Sequence, residues 1–245
     1  MRILVTGGAG FIGSWVAEIL LEYGHYVVIV DNLSNGLKSN IPSGAKFYKL
    51  DILSDEIDKL FASERFDVVN HHAARIDLFS SKANPDEDIR VNLTGTINLL
   101  KHSVKHGVRR FVFASSGGAI YNPEFGLPSK EEYEYAPPSP YGINKLAAEK
   151  YILYFNREYG LGYTILRYSN VYGPRQGLSF ESGVVSIFAR AMLKNDNVVI
   201  FGDGTQTRDF VYVEDIARVN RVATEGNFNG TFNISSSKGT TINEL

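Results

Sequence analysis

The sequence predicts a doubly wound α/β fold, a parallel sheet covered by helices on both faces. Apolar, β-branched runs alternate with longer helical patterns at the interval that such a sheet requires. The strands are predicted at 2–6, 26–31, 46–50, 67–71, 109–115 and 163–168, and the helices at 11–24, 54–64, 86–106 and 140–160. A glycine-rich turn joins the first strand to the first helix, which is typical of Rossmann-type members of this class.

The glycine-rich turn has the sequence TGGAGFIG at 6–13. Strand, turn and helix in this order present backbone N–H groups and the positive end of a helix to a pyrophosphate. Gly7 permits a tight turn, Gly10 lets phosphate approach the backbone, and Gly13 lets the helix lie close to the strand. The spacing is wider than the usual Gly-x-Gly-x-x-Gly, so the turn alone leaves open a glycine-rich turn without a ligand.

Asp31 supports a dinucleotide site. It ends the second predicted strand about 20 residues after the glycine-rich turn, which is where an acid meets the adenosine ribose in such sites. Its carboxylate accepts hydrogen bonds from a ribose diol and repels a 2′-phosphate. The sequence therefore predicts NAD rather than NADP as the cofactor.

Composition narrows the class of partner. The 245 residues include 25 basic and 27 acidic side chains, and no run of Lys and Arg marks a nucleic-acid or anionic-membrane partner. Cysteine is absent, which excludes disulfides and thiolate metal sites. With no signal-peptide pattern and no apolar run near the ~20 residues of a membrane span, we expect a cytoplasmic protein that binds a small molecule.

The regular alternation of predicted strands and helices ends after residue 168. We therefore predict a Rossmann-type domain over 1–168 and a small substrate-binding lobe over 169–245, with a helix at 182–194, a strand at 198–201 and a polar loop at 202–209. Thr241 and Glu244 form a capping-box pattern, which predicts a helix beginning where the sequence stops. We accordingly expect the lobe to be incomplete.

A candidate catalytic set follows the fifth predicted strand. Tyr141 and Lys145 share one helix face at i,i+4 spacing, where an ammonium and an oxidised nicotinamide would favour the phenolate. Ser115 and Ser116 end the preceding strand at the carboxyl edge, where ligands bind in such sheets. We predict that the Ser116 hydroxyl hydrogen-bonds the reacting oxygen, with Ser115 as a possible substitute. The alternatives are that Tyr141 and Lys145 are an ordinary surface pair and that the serines only cap the end of the strand.

His71 and His72 end the fourth predicted strand and suggest a metal site at first sight. Neighbouring strand residues point to opposite faces, and no further ligand lies at metal-binding spacing. We predict no metal and assign His72 to cofactor packing.

The motifs together resemble the extended short-chain dehydrogenase/reductase family over nearly the whole chain. They are TGGAGFIG at 6–13, DNLS at 31–34, paired serines ahead of Tyr-x-x-x-Lys, NVYGPR at 170–175 and GDGTQTRDFV at 202–211. Within that family the chain is most similar to the nucleotide-sugar 4-epimerases that act on UDP-glucose and UDP-galactose. The wider glycine spacing is the family's own form.

The resemblance implies a set of site residues. The catalytic residues would be Ser116, Tyr141 and Lys145. NAD would be bound by Gly7, Gly10, Phe11, Ile12, Gly13, Asp31, Asn32, Ser34, Asn35, Gly36, Asp51, Ile52, His72, Ala73, Ala74, Arg75, Asn92, Ser115, Tyr141, Lys145, Tyr168 and Val171. The UDP-sugar would be bound by Ser116, Asn170, Val184, Phe201, Gln206 and Arg208. A homodimer through the helices at 86–106 and 140–160 is also implied.

The implied reaction is epimerisation at carbon 4 through a transient 4-keto sugar, with Tyr141 as the base. Similar dehydratases and decarboxylases carry acidic residues after the serine pair, whereas this chain has Gly117, Gly118 and Ala119 there. That leaves epimerisation or net oxidation and reduction. A catalytically impaired fragment that only binds nucleotide is the third possibility.

Overall fold

The computed structural model describes residues 1–76, 78–122, 128–177 and 183–245. Ten strands lie within these residues, labelled in chain order: β1 (Arg2–Thr6), β2 (Tyr26–Asp31), β3 (Lys46–Lys49), β4 (Val68–His71), β5 (Arg110–Ser116), β6 (Gly162–Tyr168), β7 (Asn170–Tyr172), β8 (Thr207–Tyr212), β9 (Gly230–Ile234) and β10 (Gly239–Thr241). Seven of them form a parallel sheet in the order β3-β2-β1-β4-β5-β6-β9. The other three form a small sheet in the order β10-β8-β7. The predicted fold class and its six strands are confirmed.

Nine α-helices lie within the described residues: α1 (Phe11–Glu22), α2 (Glu56–Glu64), α3 (Leu78–Ala83), α4 (Pro85–Asp88), α5 (Gly95–Lys105), α6 (Gly117–Ile120), α7 (Pro140–Tyr159), α8 (Val184–Leu193) and α9 (Val213–Glu225). The chain forms a 3₁₀ turn at Lys38–Asn40 and a π-helical segment at Ile89–Thr94. The single helix predicted at 86–106 is therefore three consecutive segments. Of the helix predicted at 182–194, residue 182 lies outside the described residues.

Helix α7, which carries the predicted catalytic pair, has local signals at both ends. The Ser139 hydroxyl accepts a hydrogen bond from the Gly142 N–H at 3.1 Å, and Pro140 occupies the first turn. Both features favour a helix N-terminus. Gly160 ends the helix at φ +70°, a conformation that suits glycine.

Hydrophobic residues fill both faces of the main sheet. On one face, Leu4, Phe111 and Phe113 belong to a buried cluster with side chains of α2, α5 and α7. On the other face, Ile3 and Ile29 pack with side chains of α1 and α9. Burial on both sides is what the continuous apolar strands predict for a parallel sheet.

The segment after residue 168 differs from its prediction in three places. Residues 198–201 form no strand, because no neighbouring strand pairs with them and Phe201 is 85% exposed. The predicted loop 202–209 ends early, since β8 begins at Thr207 and pairs with β7. Strand β9 and helix α9 return to the main sheet instead of remaining in a separate lobe.

The hydrogen bonds of the capping box predicted at 241–244 are present, but residues 242–244 form a turn and not the predicted start of a helix. The Thr241 N–H donates to Glu244 Oε2 at 2.9 Å, and the Glu244 N–H donates to Thr241 Oγ1 at 3.2 Å. Across the described ranges, no helix combines the length and the hydropathy needed to cross a membrane.

Candidate active site

The glycine-rich turn lies where the strand order of the main sheet reverses, between β1 and β4. Gly7 has φ +69°, and a Cβ there would lie 2.7 Å from the backbone nitrogen of Ala73. A Cβ at Gly13 would collide with the Gly7 carbonyl oxygen. Helix α1 has Gly10 as its N-cap, and no side chain caps its first N–H groups. The turn and the helix N-terminus therefore fit a pyrophosphate at the switch point of the sheet.

Asp31 joins the glycine-rich turn to the loop after β2. Its Oδ2 accepts a hydrogen bond from the Ala9 N–H at 3.1 Å, and its Oδ1 accepts one from the Leu33 N–H at 2.8 Å. Asn32 donates from Nδ2 to Asp51 Oδ2 at 3.1 Å. The structure thus gathers Asp31, Asn32 and Asp51, all predicted for the cofactor, at the carboxyl ends of β2 and β3. A Cβ on Gly36 would lie 3.0 Å from Asp31 Oδ1, which explains a glycine there.

Asn92 holds the loop after β4 through both atoms of its amide. Its Oδ1 accepts from the Arg75 N–H at 2.8 Å, and its Nδ2 donates to the Arg75 carbonyl at 2.9 Å. The Ala73 N–H donates to Thr6 Oγ1 at 3.2 Å. These contacts bring the predicted residues 73–75 beside the glycine-rich turn.

The predicted catalytic residues all lie near the carboxyl edge of β5. Ser116 ends β5 opposite Tyr168 of β6, and Tyr141 and Lys145 lie in the first turns of α7. The buried Lys145 ammonium donates to the Ala114 carbonyl at 2.8 Å and lies 5.8 Å from the centre of the Tyr141 ring. Burial lowers the pKa of Lys145 to about 8. A cation and a phenol are therefore adjacent, as the sequence predicts.

The electrostatics of Tyr141 differ from the sequence expectation. Burial raises its pKa above the ordinary value, and the Asp88 carboxylate raises it further. The protein's own groups therefore oppose the phenolate, and Lys145 alone does not overcome them.

Ser115 and Ser116 have different environments. The Ser115 hydroxyl is buried and donates to Glu149 Oε1 at 2.5 Å. Glu149 in turn pairs with Arg167 of β6. Sequence reasoning missed Glu149, although its position four residues after Lys145 places an acid on the same face of α7.

A cleft of about 270 Å³ lies beside the small sheet. Its lining includes every residue predicted for the UDP-sugar except Ser116: Asn170, Val184, Phe201, Gln206 and Arg208. Phe188, Val199, Ile200 and Ile242 complete it. Apolar walls with a few polar groups are typical of a small-molecule site.

His71 and His72, at the end of β4, have different surroundings. His71 is buried, and its Nδ1 and Nε2 bond the Thr6 and Thr96 hydroxyls at 2.7 and 2.9 Å. The His72 ring stacks on Tyr168 with ring centres 6.3 Å apart. Burial lowers the pKa of His72 to about 3, so the ring is neutral at physiological pH.

Asp58, His102 and His106 form a cluster between α2 and α5 whose ligand-type atoms lie within 4.8 Å of one another. The Lys105 ammonium donates to both oxygens of Asp58, at 2.7 and 2.8 Å. Since a cation already neutralises the carboxylate, the cluster is an ion-pair network.

Fold and site together define a dinucleotide-dependent enzyme of the extended short-chain dehydrogenase/reductase type. The chain belongs to the NAD-dependent epimerase/dehydratase family, whose model matches residues 3–235. The predicted family and the predicted cofactor, NAD, are confirmed.

Three similar proteins show the range of this family. A Thermotoga maritima structure of UDP-glucose 4-epimerase with UDP-glucose is 47% identical, with TM-score 0.97 over 100% of this chain and 80% of that chain. A Thermus thermophilus UDP-glucose 4-epimerase complex with NAD is 42% identical, with TM-score 0.93 and the same coverage. A UDP-N-acetyl-α-D-glucosaminuronate decarboxylase of Bacillus cytotoxicus is 36% identical over 263 residues, 100% of this chain and 78% of the relative.

Proposed function

We propose that this chain catalyses NAD-dependent epimerisation at carbon 4 of a UDP-hexose, with UDP-glucose and UDP-galactose as the substrate pair. The observation that carries the proposal is the joint placement of Ser116, Tyr141 and Lys145 at the carboxyl edge of β5. Similarity to UDP-glucose 4-epimerases supports the substrate assignment.

Each catalytic side chain has a separate role in the proposal. The Tyr141 phenolate oxygen takes the proton from the sugar 4-hydroxyl, and the Ser116 hydroxyl hydrogen-bonds the reacting oxygen. The Lys145 ammonium stabilises the phenolate. When bound, NAD supplies the hydride acceptor at carbon 4 and, in its oxidised form, the positive charge that lowers the Tyr141 pKa. Ser115 is committed to Glu149, which favours Ser116 for this role.

The cofactor site in this proposal consists of the residues predicted for NAD. Backbone N–H groups of Gly7 to Gly13 and the N-terminus of α1 bind the pyrophosphate, and Asp31 binds the adenosine ribose. The loop that Asn92 holds lines the path to the nicotinamide.

The substrate site is the cleft beside the small sheet, so residues 169–245 contribute most of the sugar-nucleotide contacts. Arg208 and Asn170 bind the diphosphate, since a guanidinium suits phosphate oxygens. Gly117 and Gly118 in α6 carry no acid for a second proton transfer, which favours epimerisation over dehydration or decarboxylation.

We also propose a homodimer through α5 and α7. Exposed apolar side chains on α7 support it: Ile143, Tyr151, Leu153 and Tyr154. Sedimentation at micromolar concentration tests this, and a monomer would contradict it.

The test of function is incubation with UDP-galactose and NAD. The proposal expects UDP-glucose without net NADH, and at least a ~100-fold lower rate for Tyr141→Phe, since a positioned acid or base contributes about that much. Tyr159→Phe, at the exposed end of α7, is the matched control with an unchanged rate. Accumulated NADH would identify a net oxidoreductase, and NAD binding without either product would identify a nucleotide binder.

A further inference from the structure

Asp88 is a buried carboxylate at the end of α4, with 1% of its surface exposed. Its Oδ1 accepts hydrogen bonds from Asn92 Nδ2 at 3.0 Å and from Asn144 Nδ2 at 2.7 Å. Within the described ranges its Oδ2 is buried without a hydrogen-bond partner. Two neutral amides do not compensate a buried negative charge, so Asp88 requires a cation nearby.

The buried ammonium of Lys145 requires an anion in the same way. It donates a hydrogen bond to a neutral acceptor, the Ala114 carbonyl. The Asp88 and Glu149 carboxylates both raise its pKa, Asp88 more than Glu149, although neither forms a direct ion pair with the ammonium. Glu149 is already neutralised by Arg167, whose Nη2 lies 2.6 Å from Glu149 Oε2. Asp88 is therefore the carboxylate left to balance Lys145 in the described part of the chain.

The amide contacts of Asp88 also join two parts of the active site. Asn144 directly precedes Lys145 and lies in the same turn of α7 as Tyr141. Asn92 belongs to the π-helical segment and holds the loop at Arg75. One carboxylate oxygen thus connects the catalytic turn to the loop beside the cofactor site.

We propose that Asp88 is a positioning residue of the active site, whose carboxylate is the counter-charge of the Lys145 ammonium and fixes the Tyr141–Lys145 turn through Asn144. This inference rests on the proposed function. It assigns no proton transfer to Asp88.

The charge of Asp88 has a specific consequence for pH dependence. It raises the pKa of Lys145, which burial lowers, and it raises the pKa of Tyr141. Activity requires Tyr141 as phenolate and Lys145 as ammonium. Removing the charge therefore moves both the acidic and the alkaline limb of the rate profile to lower pH.

Among the described residues, Asp88 is the carboxylate whose charge acts on both Tyr141 and Lys145. Glu149 acts on Lys145 alone, more weakly than Asp88, and is paired with Arg167, and burial keeps His71 and His72 uncharged near neutral pH. On the adjoining segments, Lys82, Asp86 and Arg90 are exposed, and Glu87 pairs with Arg90.

The test is Asp88→Asn, which keeps the shape of the side chain and an oxygen for the two amides. We expect both limbs of the kcat profile for UDP-galactose to move to lower pH by about one unit, the size of effect that one nearby charge produces. Asn144→Ala is the matched control, because it removes a hydrogen bond and keeps the charge. It should lower kcat at every pH without moving the limbs.

A second measurement is independent of turnover. NMR titration of the Lys145 side-chain carbons, assigned with Lys145→Met, should show the Lys145 pKa lower in Asp88→Asn by a similar amount. An unchanged Lys145 pKa overturns the inference even if the enzyme is active. If the wild-type protein does not convert UDP-galactose but the Lys145 pKa is lower in Asp88→Asn, the proposed function is overturned and the role of Asp88 as counter-charge stands.

Discussion

Glu149 of α7 and Arg167 of β6 form an ion pair inside the protein, with both side chains 3% exposed. Arg167 Nε and Nη2 donate to the two carboxylate oxygens at 3.0 and 2.6 Å. The pair connects α7 to β6, the strand beside β5. Glu149 also accepts a hydrogen bond from the Ser115 hydroxyl of β5. Through these contacts the helix that carries Tyr141 is held against the strand that ends at Ser116.

Arg167→Met should destabilise the protein by about 3–5 kcal/mol, because it leaves the Glu149 carboxylate buried and unpaired. Urea unfolding at neutral pH measures the change. Arg218→Met is the control, since Arg218 is 61% exposed and pairs with acids on the surface of α9. It should cost about 0–1 kcal/mol. Equal losses in the two variants would contradict the assigned role of the buried pair.

Gly13→Ala should weaken NAD binding about tenfold or more. The added methyl group meets the Gly7 carbonyl oxygen and displaces the turn, and such overpacking costs about 1–3 kcal/mol. Calorimetric titration with NAD measures the loss. Gly118→Ala is the control, because a Cβ there meets no atom within 4 Å. NAD affinity unchanged by Gly13→Ala would refute the role of the turn.

Arg208→Ala should raise KM for the UDP-sugar by about 10- to 100-fold with little change in kcat. The side chain lines the cleft, and a charge-assisted hydrogen bond contributes about 1.5–3 kcal/mol. Steady-state kinetics with UDP-galactose measures the split, with Arg218→Ala as the control. A fall in kcat at constant KM would place Arg208 at the chemical step instead.

His72 should make the fold sensitive to acid. Its pKa is about 3 in the folded protein against 6.5 for the free side chain, so the unfolded state binds more protons between these values. Stability is therefore lost as pH falls below 6.5, by about 2 kcal/mol at pH 5 from this group. Urea unfolding at pH 7 and pH 5 should show that His72→Phe, which preserves the stacking on Tyr168, reduces the difference by that amount. An identical pH dependence in the variant would disprove the assignment.

The parts of the fold predicted correctly are those encoded by short stretches of chain. The alternation of apolar runs and helical patterns predicts β1 to β6, since each buried strand needs only its own residues to be recognised. The predictions at 198–201 and 202–209 were wrong because a strand requires a partner strand. Residues 198–201 have none among the described residues, and the strand that begins at Thr207 pairs with β7, which is distant in sequence. Strand β9 pairs with β6 more than sixty residues away, by the register of Thr164 with Gly230.

The sequence by itself determined the family, the glycine-rich turn, Asp31 and the Tyr141–Lys145 spacing, because each depends on residue types at fixed short separations. Only the tertiary structure decided what surrounds them. The pairing of Glu149 with Arg167, the contact of Asp88 with Asn144 and the grouping of Asn170 with Arg208 in one cleft join residues from separate elements. Burial sets the strength of these charges, and burial is a property of the packed protein rather than of any segment.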